Sequence, residues 1–302
     1  MEKLVVQTKG SVKDPQYQDQ IVSIAGSETS FTGYLRQQGI RTRTEDLVCS
    51  CHGNTPLSLE LAYDLQGLAN QGHRVVGTVS GGLLLGKGSI DAANAPTVPI
   101  ISIPLNDDYF GGLTPFLAPM VPSGTADIGG VGLDRYDTAA YLTAEILNNT
   151  FEGVYTFHAS DELKGKLKKW EIPVLGEAAE AESGIIVGEV DLRGRDPEIN
   201  MFDFKTTFEN HGTVGIFSPS KTQRPEAAVS LMRGMGKMNK SMYVRGAENI
   251  AIMAAKIMAM DNESIRNRLK QAAMKKAQSY YIESDNGKVE PGLTLEDFVG
   301  GE

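Results

Sequence analysis

The loop Ser50-Cys-His52-Gly-Asn54 carries the side chain in this sequence that is best suited to proton transfer. It follows an apolar segment. A free imidazole has a pKa of about 6.5, so His52 could act as both an acid and a base near neutral pH. A structural histidine that donates to a backbone carbonyl is the alternative interpretation. A zinc site is not predicted, because Cys49, Cys51 and His52 lack the spacing of a four-ligand site.

Two further loops contain glycine and could hold an anionic ligand. Gly26-Ser27-Glu28-Thr29-Ser30 precedes a helical pattern, so its hydroxyls and backbone amides would suit a phosphate. A capped turn between a strand and a helix is the alternative there. The stretch from Ser80-Gly81-Gly82 to Gly86-Lys87-Gly88 also predicts a loop, in which Lys87 could meet a carboxylate or a phosphate. This stretch lacks the Walker spacing, and a glycine-hinged loop without a ligand is its alternative.

The elements around these loops must bring them together, and their pattern predicts an α/β fold. Apolar segments alternate with helical patterns, which is typical of βαβ units and a parallel sheet. We expect strands at 21–25, 46–49, 74–79 and 98–103 and helices at 31–38, 57–70 and 138–148. A small or polar cluster follows each strand. Ligands bind at the carboxyl edge of open parallel sheets, so the three loops are expected to meet there.

The second half of the chain resembles the first. Residues 166–172 match residues 34–40 at a spacing of 132, and residues 250–257 match residues 139–146 at a spacing of 111. We expect a diverged internal repeat. The predicted organisation is an N-terminal arm with a short strand at 4–6, two α/β units, and an acidic C-terminal tail, at residues 1–20, 21–150, 151–280 and 281–302.

The composition excludes several classes of protein. The 302 residues carry a net charge of −9, and they contain no basic stripe that would bind nucleic acid. No apolar stretch is long enough to cross a membrane, and the N-terminus lacks the pattern of a signal peptide. We therefore expect a cytoplasmic protein without nucleic-acid or membrane partners. The two cysteines stand two positions apart, which excludes a disulfide framework.

The motifs of the first half occur in a fixed order over about 130 residues: Gly26-Ser27, Ser50-Cys-His52, Ser80-Gly81-Gly82, residues 99–104, Gly112-Leu113 and Val121-Pro-Ser123-Gly124. In this order they resemble the aminoimidazole ribonucleotide carboxylase family, which includes carboxyaminoimidazole ribonucleotide mutases. Residues 246–257 and 261–269 resemble that family's last helix, and their place in the second half supports the repeat. The resemblance implies a flavodoxin-like three-layer α/β sandwich with a parallel sheet, a homo-oligomer, and no metal or organic cofactor.

The resemblance also implies a role for individual residues. His52 would be the catalytic acid and base. Asp107 would accept a hydrogen bond from the ribose or the exocyclic amine, and an N-cap role for it is equally open. The residues expected to hold the ribonucleotide are Gly26, Ser27, Glu28, Ser30, Ser50, Asn54, Ser80, Gly81, Gly82, Lys87, Asp107, Ser123 and Gly124.

Three positions depart from the pattern of the family. The aspartate of the first turn is matched by Ser30 or Glu28, and Gly53-Asn54 replaces the cationic residue after the catalytic histidine. Leu85 stands where the mutases have a second histidine. The carboxylases that use free carbon dioxide also lack that histidine, and their Leu-Pro-Ser-Gly loop is similar to residues 121–124.

The missing cation has several possible replacements within the chain. Lys87 or Asn54 could take its place in the first half. Lys221 and Arg224 form a compact cationic turn after a strand of the second half, and they could contact the phosphate across a repeat or subunit interface.

The sequence thus predicts a carboxylase or mutase of the lyase type that acts on an aminoimidazole-type ribonucleotide in purine biosynthesis. Carbon dioxide or bicarbonate would be the second reactant. A lyase of the same fold for another nucleotide, and a nucleotide-binding homologue without catalysis, are the alternatives.

Overall fold

The structure is a computed structural model that describes residues 3–9, 31–48, 55–81, 85–104, 128–190, 214–219, 238–279, 283–284 and 287–288. A ten-stranded sheet organises this part of the chain. In chain order its strands are β1 (Lys3–Lys9), β2 (Arg41–Val48), β3 (Arg74–Gly81), β4 (Ile100–Pro104), β5 (Gly129–Gly130), β6 (Val154–Phe157), β7 (Val174–Glu177), β8 (Ile185–Val190), β9 (Val214–Pro219) and β10 (Ser241–Tyr243). Near the C-terminus, β11 (Glu283–Ser284) and β12 (Gly287–Lys288) form a separate antiparallel pair.

The two halves of the sheet have the same strand order. The first half runs β2-β1-β3-β4-β5 with parallel neighbours, which is the flavodoxin-like order. Counted from the other end, the second half runs β7-β6-β8-β9-β10, again with parallel neighbours. The halves meet at β5 and β10, which pair antiparallel with Gly130 opposite Tyr243. The carboxyl ends of the two sets of strands therefore lie at opposite edges of one continuous sheet.

Helices cover both faces of this sheet. They are α1 (Phe31–Gln37), α2 (Thr55–Asn70), α3 (Leu85–Asn94), α4 (Tyr136–Asn148), α5 (Asp161–Lys169), α6 (Gly246–Met258) and α7 (Glu263–Ser279). Side chains alternate between the faces of a strand. Val76 accordingly belongs to the core beneath α1, α4, α5 and α6, while Val75 belongs to the core beneath α2 and α3. The result is the expected three-layer α/β sandwich. None of the helices in the described ranges is long and apolar enough to cross a membrane.

Helices α1 and α5 end in the same backbone turn. The amide of Ile40 donates to the carbonyl of Leu35 at 2.9 Å, and the amide of Ile172 donates to the carbonyl of Leu167 at 3.0 Å. Both donors and both acceptors stand 132 positions apart, which is the spacing of the sequence match. Such turns are common at helix ends. Their shared spacing and their equivalent places in the two halves support the interpretation of a diverged repeat, and the division into domains at residue 150 stays a prediction.

The N-terminal strand is longer in the structure than the sequence suggests. The sequence predicts a loose arm with a short strand at 4–6. Instead β1 has seven residues and pairs in parallel with β2 on one side and β3 on the other. The strand expected at 21–25 lies outside the described residues.

Candidate functional site

The carboxyl ends of three first-half strands lie side by side. Gly81 at the end of β3 is paired with Pro104 at the end of β4, and Ser102 of β4 is paired with Gly130 at the end of β5. The carbonyl of Pro104 accepts a hydrogen bond from the amide of Asp134 at 2.8 Å, so the chain turns back over this edge before α4 begins. This edge is where the motif residues after each strand are expected to gather.

Ser80 is a predicted binding residue with a buried side chain at the end of β3. It is 1% exposed and lies beneath the first residue of α4, Tyr136. Burial raises the pKa of the Tyr136 phenol and Asp134 raises it further, while an interaction with the Ser80 side chain acts in the opposite direction. The phenol is therefore neutral at physiological pH. A ligand at this edge would meet the backbone around Ser80 and Gly81 rather than the buried Ser80 hydroxyl.

Lys87 lies in a helix, so the prediction of a loop through this residue is wrong from Leu85 onward. Helix α3 begins at Leu85 and includes the glycines on both sides of Lys87. A Cβ atom at Gly88 would lie 2.8 Å from Cδ1 of Ile128, so this glycine permits close packing of α3 on the core. Glycine spacing alone does not distinguish a ligand loop from such a contact.

Most other predicted site residues lie outside the described part of the chain, and their roles stay predictions. These are Gly26, Ser27, Glu28, Ser30, Ser50, His52, Asn54, Gly82, Asp107, Ser123, Gly124, Lys221 and Arg224. Strand β9, which precedes Lys221 and Arg224 in the sequence, ends at Pro219. Because β9 runs antiparallel to β3, Pro219 and Gly81 lie at opposite edges of the sheet.

The start of α5, at the carboxyl edge of the second half, is occupied by acidic side chains of the chain itself. The Ser160 amide, at the start of α5, donates to Oε2 of Glu189 at 3.0 Å. Asp161 and Glu162 occupy the first turn of the same helix. An N-terminal helix turn attracts anions, and here carboxylates already fill that role. The N-cap of α5 is Ser160, whose side chain accepts from the Leu163 amide at 3.1 Å.

A cleft of about 250 Å³ opens between α1, α4 and the segment before β10, and none of its residues belongs to a predicted site. Half of its lining residues are aromatic: the lining consists of Phe31, Tyr34, Tyr136, Asp137, Ala140, Tyr141, Asn239 and Lys240. The only signal for it in the sequence is the repeated occurrence of tyrosine on two helices that pack together. Since β10 runs antiparallel to β5, the segment before β10 lies at the same edge as the ends of the first-half strands.

Charged groups at the mouth of the cleft are paired. Both oxygens of Asp137 accept from Arg135 at 2.8 Å. Burial raises the pKa of Asp137, but the Arg135 guanidinium and backbone amides outweigh that effect and hold it below its usual value. Nζ of Lys240 lies 5.8 Å from the centre of the Tyr141 ring. Burial raises the pKa of Tyr141 to about 12, with further contributions from Glu145 and Tyr34.

Comparisons with known proteins add no relative: no family model matches the chain, and no curated protein matches it. Within the ranges that the structure describes, no group of three histidine, cysteine or acidic side chains could hold a metal ion.

Proposed function

We propose that the first half of the chain binds an aminoimidazole-type ribonucleotide and catalyses its carboxylation, decarboxylation or carboxyl rearrangement. The observation that carries the proposal is the placement of Ser80-Gly81 at the carboxyl edge of a sheet with the order 2-1-3-4-5, beside the ends of β4 and β5. Open parallel sheets bind ligands at this edge. The sequence segments that follow the other strands contain the remaining motifs that resemble the aminoimidazole ribonucleotide carboxylase family, in the family's order.

The proposed reaction needs no cofactor. Carbon 4 of an aminoimidazole is nucleophilic, so it forms the new bond to the carbon of carbon dioxide with its own electrons. The proton on carbon 4 must then leave, and His52 accepts it; in the reverse direction His52 returns it and carbon dioxide departs. An imidazole with a pKa near neutrality serves both directions. Backbone amides at Gly26, Gly81 and Gly82 hold the nucleotide.

Leu85 stands where the mutases have a second histidine. This difference supports the use of free carbon dioxide over the transfer of a carboxyl group from a carboxylated nitrogen. A cytoplasmic location and assembly into a homo-oligomer belong to the same proposal. In such an oligomer, Lys221 and Arg224 of one copy provide the cationic phosphate contact for another copy.

The test is an ultraviolet assay of purified protein with carboxyaminoimidazole ribonucleotide, which follows decarboxylation. The proposal predicts turnover that His52→Asn abolishes. His158→Asn is the matched control, because His158 is an exposed histidine that follows a strand of the second half. Circular dichroism of both variants separates loss of catalysis from loss of folding.

Each result leads to a different conclusion. Turnover that survives His52→Asn would overturn the role of His52. Nucleotide binding without turnover would favour a changed substrate or a binding protein. If neither binding nor turnover is observed, the resemblance to the family would concern the fold alone.

A further inference from the structure

The place that corresponds to the aromatic cleft between α1 and α4 has a different character in the described part of the second half. At the spacings of the sequence match, Tyr34 corresponds to Lys166, and Asp137 corresponds to Glu248. In the second half, Nζ of Lys166 lies 2.6 Å from Oε2 of Glu248, and Nζ of Lys169 lies 2.8 Å from Oε1. A compact ion-pair cluster therefore fills this place in the second half. In the first half the equivalent place is open.

The walls of the open cleft are rings that the core holds in place. Phe31 is buried at 2% exposure, and Tyr34, Tyr136 and Tyr141 pack against the same core with part of each ring at the surface. Rings that are fixed in this way lose little conformational entropy when a ligand stacks on them. Aromatic side chains contribute stacking energy to any planar ring, whatever its substituents.

The charges around the cleft balance one another. Asp137 is neutralised by Arg135, whose guanidinium also contacts the side-chain oxygen of Asn239. Lys240 lies near Glu145, and its charge acts to lower the pKa of that carboxyl against the effect of burial. A site with this balance favours a neutral ligand that can hydrogen-bond at its rim, and it does not select strongly for an anion or a cation.

We propose that this cleft binds a planar heteroaromatic ring of the size of a single nucleobase. A volume of about 250 Å³ is smaller than most sites for drug-sized molecules, which occupy about 300–1,000 Å³, so one or two fused rings fit and a whole nucleotide does not. The proposal does not depend on the reaction proposed above. Its ligand stacks on tyrosines of α1 and α4 and hydrogen-bonds near Asn239.

The test uses free adenine as the probe and saturation-transfer NMR on the full chain as the readout. Adenine is expected to bind, while cyclohexanol, a saturated ring of similar size, is not. Tyr141→Leu and Tyr34→Leu keep apolar volume but remove a ring, so each should weaken adenine binding by about tenfold. Tyr141→Phe keeps the ring and should leave the affinity within about twofold.

Tyr63→Leu provides the matched control, because Tyr63 is an exposed tyrosine on α2, away from the cleft. It should leave adenine binding unchanged. Adenine binding that is absent, that survives both leucine variants in the cleft, or that weakens equally in Tyr63→Leu would overturn the proposal. So would self-association of the chain that depends on Tyr141 and excludes adenine, because a second copy would then be the natural occupant.

Discussion

Arg74, the first residue of β3, forms an ion pair with Asp261 in the turn between α6 and α7. The same guanidinium donates to the carbonyl of Ile146 at 2.8 Å and to that of Asn149 at 2.5 Å, at the end of α4. Its side chain is 7% exposed. One buried cation therefore joins the first half of the sheet, the helix that ends the first half and the last helical pair.

Removing this cation should destabilise the whole fold. We expect Arg74→Met to lower the free energy of unfolding by about 3 kcal/mol, because it leaves a carboxylate and two carbonyls without their donor. Urea denaturation followed by circular dichroism measures the change. Glu171→Gln is the control: Glu171 pairs with Arg268, but its side chain is 58% exposed, so a loss below about 1 kcal/mol is expected. Equal losses of stability in the two variants would contradict the conclusion that the buried Arg74 side chain joins these three parts of the fold.

Replacing glycine by alanine should destabilise the protein at two helix ends and stabilise it at one position inside a helix. Gly39 and Gly72 have φ of 71° and 87°, where an L side chain is strained, so Gly39→Ala and Gly72→Ala should each cost about 1 kcal/mol. Gly67 lies inside α2, and an alanine Cβ at this position would have no neighbouring atom within 4 Å. Gly67→Ala should therefore stabilise the protein by about 0.5–1 kcal/mol. Thermal unfolding of the three variants measures these changes. Destabilisation by Gly67→Ala would mean that α2 is not continuous there.

The ion-pair cluster of the second half should make stability depend on pH in the acid range. Burial raises the pKa of Glu248, but hydrogen bonds from Lys166, Lys169 and Trp170 outweigh it and hold the pKa below its usual value of 4.5. Because the folded pKa lies below the unfolded one, the contribution of the carboxylate is complete above about pH 4.5 and is lost as pH falls through the folded pKa.

Glu248→Gln tests this dependence. It should lower the free energy of unfolding by about 2 kcal/mol at pH 7, and the difference from the wild type should shrink below pH 4.5. The control is Asp137→Asn at the equivalent position of the first half. The Asp137 side chain is 68% exposed, so its loss should stay below about 1 kcal/mol. A difference for Glu248→Gln that does not change with pH would rule out the carboxylate as its source.

The junction of the two halves depends on a glycine. A Cβ atom at Gly129 of β5 would collide with the side chain of Met242 on β10. Gly129→Ala should therefore destabilise the protein by about 1–3 kcal/mol. Met242→Ala should also destabilise it, by about 2–5 kcal/mol, because Met242 is fully buried. In a double-mutant cycle, the loss of stability in the double variant should be smaller than the sum of the two single losses by at least about 1 kcal/mol. The reason is that Met242→Ala removes the side chain with which the new Cβ atom collides. Additive losses would contradict the contact.

The sequence predicts the regular parts of this fold better than its exceptions. The spacing of Leu35 and Ile40, repeated at Leu167 and Ile172, is enough to suggest two related halves, because buried positions constrain residue type. The helix at Lys87 is missed because Gly86 and Gly88 disfavour helix in isolation. Packing against Ile128 overrides that preference, and such a contact between distant residues cannot be recognised from local sequence.

The aromatic cleft is missed for a related reason. Tyr34 and Tyr141 come together only through the packing of α1 on α4, and neither belongs to a motif. The antiparallel junction at Gly130 and Tyr243 is a second example. It places the carboxyl ends of the two halves at opposite edges of the sheet, whereas the similarity of the halves in sequence carries no information about their relative direction.

That opposite placement leads to a prediction about stoichiometry, which rests on the proposed function. The second-half edge has a carboxylate of Glu189 on the Ser160 amide and two acidic residues in the first turn of α5. Carboxylates already fill the first turn of α5, and the proposed function assigns Lys221 and Arg224, which follow β9, to the phosphate of another copy, so isothermal titration with the ribonucleotide should give one site per chain. Glu189→Gln should leave both the site count and the affinity unchanged. Two sites per chain, or a second site lost in a variant of the α5 N-terminus, would mean that the second half also binds nucleotide.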